Sequence, residues 1–172
     1  MNGYFSNFPQ ITYSFDSGNT VGVIVVTDIL RRVKADDANI KNVLAYDEYD
    51  VQDGETPEII ADKLYNDSTL HWIILISNEI LDPRFDWPLS TNALANYVTD
   101  KYGVGNEHEL HHYVNDYGDV VHSSYAGTKY EVNNTDYENE QNETKRRIKV
   151  LKAKYVPQFT QSFLGILTNG NN

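Results

Sequence analysis

The chain has 172 residues, a formal net charge of −11 at pH 7 and a sequence pI near 4.7, so it is acidic and long enough for one ordinary domain with extensions. An acidic chain is repelled by nucleic acid backbones and anionic lipids, which disfavours both as partners and favours a neutral surface or a basic protein. Because cysteine is absent, a disulfide, a thiolate metal site and a cysteine nucleophile are excluded.

Neither an export signal nor a membrane span is predicted. The N-terminus, "MNGYFSNFPQ", lacks the basic and apolar regions of a secretory signal, and the longest apolar run, at 21–26, is far shorter than the roughly 20 residues that span a bilayer. We therefore expect a protein that is made and used inside a cell, or carried in an assembly built there.

Residues 1–47 are predicted to form an extended N-terminal arm followed by a helix. Residues 1–20 have neither helical nor strand regularity, which is typical of a segment that lies on another surface. A β-branched run follows at 21–26, and Thr27 with Asp28 can cap a helix over 28–44. The aromatic residues of the arm are candidate contacts with a partner protein: Tyr4, Phe5 and Phe8.

Residues 48–88 are predicted to form a small β-α-α-β core. The segment 48–52 alternates as a strand does, and "DGET" turns the chain. Thr56 can cap a helix, and Pro57 suits its first position because proline lacks the N–H that would go unpaired there. The next helix, "LHWIILISN", is apolar on nearly every side and should be buried.

A helix and a β-hairpin are predicted for 89–130. Ser90 or Thr91 can cap the helix, which ends before Gly103. Two extended runs at 110–124 surround "NDYG", which is a hairpin signal. Two aromatic residues in the proline-bounded corner before this segment fit the core and a partner surface equally well: Phe85 and Trp87.

The remaining segment, 131–172, is predicted to be helical, which gives an α+β chain overall. Apolar residues recur at spacings of three and four up to Pro157, which should kink the helix or restart it. These apolar residues are the second group of candidate partner contacts: Ile148, Leu151, Tyr155, Phe159 and Phe163.

The string "HELHH" at 108–112 matches the H-E-x-x-H zinc protease pattern, in which two histidines one helical turn apart bind one zinc ion. The string runs into an alternating strand, where positions four apart are separated by roughly 13 Å, so the protease hypothesis is disfavoured. A metal or pH role for His111, His112 and His122 across the hairpin is an alternative to ordinary exposed histidines.

One basic cluster interrupts the acidic chain. It functions either as a docking site for an acidic protein or as a solvated face that balances the acidic stretch upstream. Nucleic acid binding ranks below both, because aromatic residues do not interleave with the cations. The cations of the cluster are Lys145, Arg146, Arg147, Lys149, Lys152 and Lys154.

The central segment resembles LysM, a small module known for binding N-acetylglucosamine polymers. The resemblance is carried by Tyr49, Val51, Gly54, Glu55, Thr56, Ile60, Ala61 and Asn78. It implies, as an alternative function, a groove for a glycan such as peptidoglycan, in which polar groups lie beside an apolar floor. The implied groove residues are Asp53, Gly54, Glu55, Thr56, Asn78 and Ile80. In place of a second strand, however, "DPRFDWP" is followed by another helix.

A longer set of motifs resembles a narrower family, the gene 53 product of T-even-like contractile-tailed bacteriophages, a baseplate wedge subunit with a LysM-like domain. The motifs are "TDILR" at 27–31, "LY" at 64–65, "LHW" at 70–72, Asn78, "DP" at 82–83, Trp87, "YVNDYGDVVHS" at 113–123 and "RIKVLKAKYVPQF" at 147–159.

This resemblance implies a non-enzymatic part of the virion that binds other wedge proteins and joins neighbouring wedges into the baseplate ring. It implies no cofactor and no metal, and it makes nucleic acid, membrane and small-molecule partners unexpected. Assembly in the host cytoplasm is also expected.

Overall fold

The structure is a computed structural model that describes residues 8–16, 21–28 and 43–169. The strands are β1 (Gln10–Asp16), β2 (Val21–Thr27), β3 (Tyr46–Asp50), β4 (Leu110–Asn115), β5 (Val120–Val121), β6 (Lys129–Asn133) and β7 (Arg147–Leu151). The helices are α1 (Pro57–Tyr65), α2 (His71–Ser77), α3 (Pro83–Asp86), α4 (Thr91–Tyr102), α5 (Asn134–Thr144) and α6 (Val156–Asn169). The predicted α+β class is confirmed.

Three small sheets organise these strands. β1 pairs with β2 and β3 pairs with β7, while β4 lies between β5 and β6 in an antiparallel sheet. Across the described residues, no helix is both long enough and apolar enough to traverse a bilayer.

The chain divides into two compact units. The first unit comprises 1–48, 56–81 and 149–172, and the second comprises 49–55 and 82–148. Neither unit coincides with one of the four predicted segments, whose boundaries remain predictions.

The core of the first unit lies between α2 and α6. Trp72 of α2 is buried, and its ring centroid lies 4.7 Å from that of Phe163 and 6.1 Å from that of Phe159. Phe159, Phe163 and Leu167 recur every four residues, so one face of α6 supplies the apolar contacts. The predicted burial of the second helix is confirmed.

Local signals set the ends of several helices as predicted. The Thr56 hydroxyl accepts a hydrogen bond from the Ile59 N–H, and Pro57 occupies the first position of α1. Ser90, rather than Thr91, caps α4 through the Ala93 N–H. These predictions hold because a cap depends on residues within one turn of the helix end.

The second unit contains α4, α5 and the sheet of β4, β5 and β6. In the turn between β4 and β5, the Asn115 Oδ1 accepts hydrogen bonds from the Tyr117 and Asp119 N–H groups. Gly118 has φ +85, a left-handed conformation that favours glycine. The predicted hairpin is confirmed.

Expectations for the N-terminal segment change where the structure describes it. Residues 10–16 form β1 instead of an irregular arm, because Ile11, Tyr13 and Phe15 alternate with polar residues and pair with β2. The helix expected over 28–44 lies almost entirely outside the described residues, as do Tyr4 and Phe5. The last described part of that stretch, Val43–Ala45, is a short 3-10 helix.

The C-terminal segment is not helical throughout. Residues 147–151 form β7, because Ile148 and Val150 alternate with exposed cations and the strand has β3 as its partner. The helix restarts at Val156, and Pro157 lies in its first turn, where no N–H is needed. The strand that pairs with β3 is therefore β7, far along the chain, and not a segment directly after α2. LysM-like identity of this core stays a prediction.

Candidate functional site

Most of the apolar residues proposed as partner contacts lie in the interior of the chain. A side chain that is buried within its own chain is less available to a partner, and the partner role of these residues stays a prediction. Tyr155 is half-buried against the core of the first unit. Six of the predicted partner contacts are buried: Phe8, Trp87, Ile148, Leu151, Phe159 and Phe163.

Phe85 is the described candidate that faces solvent, with 70% of its surface exposed. The Arg84 guanidinium lies 5.6 Å from the Phe85 ring centroid and is held by Asp82 at 2.7 Å. The Lys145 Nζ donates a hydrogen bond to the Phe85 carbonyl oxygen at 2.7 Å. The aromatic ring is thus presented from a fixed corner.

Trp87, two residues further, has the opposite role. Its indole N–H donates to the buried Glu55 carbonyl oxygen at 2.8 Å. A buried tryptophan needs such a partner for its N–H, so this bond fixes the corner to the turn after β3.

The residues of the implied glycan groove are used by the fold. Of the six, Asp53, Gly54 and Glu55 belong to the second unit. The Glu55 carboxylate is buried and accepts hydrogen bonds from the Tyr49 hydroxyl at 3.0 Å and the Gln52 N–H at 2.9 Å. The Asp53 carboxylate accepts the Thr91 N–H at 2.8 Å, and this bond lowers the pKa of Asp53.

The other three, Thr56, Asn78 and Ile80, belong to the first unit. Asn78 ends α2 and lies beside β7: its Nδ2 donates to the Ile74 and Lys149 carbonyl oxygens, and its Oδ1 accepts the Lys149 N–H, each at 2.8 Å. The Thr56 hydroxyl caps α1, and Ile80 is half-buried. The side-chain polar groups of Asp53, Glu55, Thr56 and Asn78 thus satisfy backbone groups, which a sugar would have to displace.

The zinc protease pattern lacks the helix that it needs, because Leu110–Asn115 is β4. The register of β4 against β6 shifts between Leu110 and His112, and this bulge brings the Nδ1 atoms of His111 and His112 within 2.8 Å. His111 also stacks on Tyr137 at 4.0 Å between centroids, and His122 contacts the Ser124 hydroxyl. No group of three metal-binding side chains is found in the described part of the chain.

A buried carboxylate in the second unit was not predicted from the sequence. The Glu138 Oε1 accepts hydrogen bonds from the Lys101 ammonium at 2.6 Å and from the Tyr102 hydroxyl at 2.7 Å. Burial raises the pKa of Glu138, but the hydrogen bonds from Lys101 and Tyr102 outweigh it and bring the pKa below its ordinary value. The same hydrogen bond has the opposite effect on its donor: it raises the pKa of Lys101. This cluster joins α4 to α5.

The lowered pKa of Glu138 makes the stability of the chain depend on pH. A carboxylate with a lowered folded-state pKa stabilises above its unfolded pKa, near 4.5, and this contribution is lost as pH falls through the folded-state pKa. We expect Glu138→Gln to lower the free energy of unfolding by about 1–3 kcal/mol at pH 7, and the difference from wild type to shrink below about pH 4. Urea unfolding across this pH range measures both.

Glu140→Gln is the matched control for this prediction, because Glu140 is an exposed residue of the same helix. It should change stability little at any pH. A difference between wild type and Glu138→Gln that stays constant from pH 7 to pH 3 would contradict the assigned role of the carboxylate.

Several cations of the basic cluster have partners within their own unit. For these cations, this favours a face that balances the charge of its own chain over a docking site for an acidic protein. In the second unit, Arg146 donates to the Glu143 carboxylate at 2.6 Å and to the Val51 carbonyl oxygen at 3.1 Å. In the first unit, the Lys152 ammonium lies 3.2 Å from an Asp47 carboxylate oxygen. Arg146 and Lys152 are therefore engaged by groups of this chain.

Comparison with known proteins identifies the family. The family model for base plate wedge protein 53 matches residues 4–124. Baseplate wedge protein gp53 of Enterobacteria phage T4 is 29% identical over 133 residues, which cover 73% of this chain and 66% of that protein. The chain thus spans slightly less than two thirds of the length of this relative. The resemblance inferred from the sequence is confirmed: the chain belongs to the base plate wedge protein 53 family.

Proposed function

We propose that this chain is a structural component of a phage tail baseplate wedge. In this role it binds other wedge proteins and joins neighbouring wedges into the baseplate ring, after assembly in the host cytoplasm. The observation that carries the proposal is the family match over residues 4–124, together with the similarity to a T4 protein that is named as a baseplate wedge protein.

The use of polar side chains in the structure supports a structural role. The polar side chains of Glu55, Asn78, Glu138 and Asn142 each form hydrogen bonds with other groups of this chain. At the same time, large apolar side chains are exposed, Phe85 among them, as expected of a subunit that meets partners.

Co-expression with the other wedge proteins of the phage that encodes this chain tests the proposal. We expect the chain to elute with at least one of them as a stable complex in size-exclusion chromatography, and to show no specific retention on purified peptidoglycan. Separate elution from every wedge protein would overturn the structural role. Specific retention on peptidoglycan would instead support the glycan-binding alternative, provided that Asn78→Ala abolished it.

A further inference from the structure

The ribbon formed by β1 and β2 exposes an apolar surface. Ile11 lies opposite Val26 and Tyr13 opposite Ile24, so these four side chains share one face. Phe15 is on the same face, where its ring covers Gly22; a side chain at Gly22 would collide with that ring. On the other face, Val23 and Val25 are 64% and 62% exposed.

The ribbon is anchored only at its base among the described residues. Phe8, just before β1, is buried in the core of the first unit, and the Asp28 N–H donates to the Pro9 carbonyl oxygen at 2.9 Å, which closes the ribbon. Beyond this base the side chains of 11–15 and 23–25 are exposed. A two-stranded ribbon is only marginally stable in water without a third strand or a covering surface.

The two edges of the ribbon differ. On the face of the ribbon that contains Val23 and Val25, the residues contributed by β1 are polar. β2, "VGVIVVT", has no charged residue and no proline, so it lacks the usual protection of a free edge. Among the residues that the structure describes, β2 pairs only with β1. The outer edge of β1 is unpaired there as well, but β2 is the more apolar strand, so its outer edge is the better place for a further apolar strand to extend the sheet.

We propose that β2 is a docking strand: an extended apolar segment of another wedge protein pairs with its outer edge and covers the exposed valines. The proposal rests on the proposed function and adds the surface and the mode of binding. Backbone hydrogen bonds along β2 would give affinity, and the alternating side chains would fix the register.

Charge and size favour a different protein over a second copy of this chain. Each copy carries a formal charge of −11, so two copies repel one another, whereas a neutral or basic partner does not. A strand of seven residues is about 24 Å long, and edge pairing of two such ribbons buries much less than the roughly 800 Å² per partner of a stable interface. A larger protein can also cover the opposite face of the ribbon, which carries Ile11, Tyr13 and Ile24.

The pair of variants Val25→Lys and Thr12→Lys tests the proposal. The two residues lie directly opposite each other on the same face and are both exposed, so each variant adds the same charge to the same pair. We expect Val25→Lys to weaken binding of the partner wedge protein at least tenfold, and Thr12→Lys to change it less than threefold. Titration of the purified full-length chain with that partner measures both.

The hydrogen exchange rate of backbone amides is a second measurement, which reports backbone pairing and does not respond to side-chain contact alone. The backbone amides of 21–27 should gain protection when the partner is added. If wild type binds the partner and Val25→Lys binds equally well, or both variants weaken binding equally, the docking strand is refuted. A wild-type chain that dimerises by itself through β2 would refute the proposed occupant. If wild type binds no wedge protein, the proposed function fails, and this inference fails with it.

Discussion

Replacement of Phe163 by alanine is expected to lower the free energy of unfolding by about 3–5 kcal/mol, because it empties a site in the packed core of the first unit. Phe163 is 2% exposed, and its ring centroid is 4.7 Å from that of Trp72. The neighbours of a deleted ring relax only partly, so both the lost burial and the remaining cavity destabilise the chain. Urea unfolding followed by tryptophan fluorescence measures the change.

Phe85→Ala is the matched control, since it is the same substitution at an exposed ring. It should change the free energy of unfolding by less than about 0.5 kcal/mol. If Phe163→Ala does not fold, Phe163→Leu is expected to fold with a smaller loss. Equal losses for Phe163→Ala and Phe85→Ala would show that the core is not where the structure places it.

Asn142→Ala should destabilise the second unit by roughly 1–3 kcal/mol, because it leaves two backbone groups of Leu89 without partners. Asn142 is buried; its Oδ1 accepts the Leu89 N–H at 2.7 Å, and its Nδ2 donates to the Leu89 carbonyl oxygen at 3.0 Å. The Asn142 side chain thereby satisfies both backbone hydrogen-bonding groups of Leu89, which lies just before α4. Urea unfolding again gives the difference from wild type.

Asn139→Ala makes the same substitution at an exposed position of the same helix and should have little effect. An Asn142→Ala protein as stable as Asn139→Ala would contradict the role assigned to this side chain.

Features that depend on a few neighbouring residues could be predicted from the sequence. Thr56, Pro57 and Ser90 mark helix starts because the groups that they satisfy lie within one turn. Asn115 and Gly118 mark the hairpin for the same reason. The burial of α2 followed from an apolar surface that extends around nearly the whole helix.

Features that depend on distant partners could not be predicted. The residues of "RIKVL" fit a helical spacing with Tyr155 and also fit strand alternation; the strand wins because β3, about a hundred residues earlier, is its partner. The partner of Asn142 is likewise 53 residues away. Local pattern carries no information about such pairs.

The burial of six candidate partner contacts could not be predicted for a related reason. Phe8, Phe159 and Phe163 have the composition expected of an interface, but a hydrophobic residue looks the same in a sequence whether it meets its own chain or another. Phe85 and Trp87, two residues apart, show the ambiguity directly, since one is exposed and the other is buried.

Electron microscopy of tails made without this chain addresses the baseplate role most directly. Host cells would be infected with the encoding phage after its gene for this chain is disrupted, with and without the wild-type chain supplied in trans. We expect incomplete baseplates without the chain and complete baseplates with it, and we expect Val25→Lys to restore assembly less well than Thr12→Lys. Complete, normal baseplates in the absence of the chain would contradict its role as a wedge subunit.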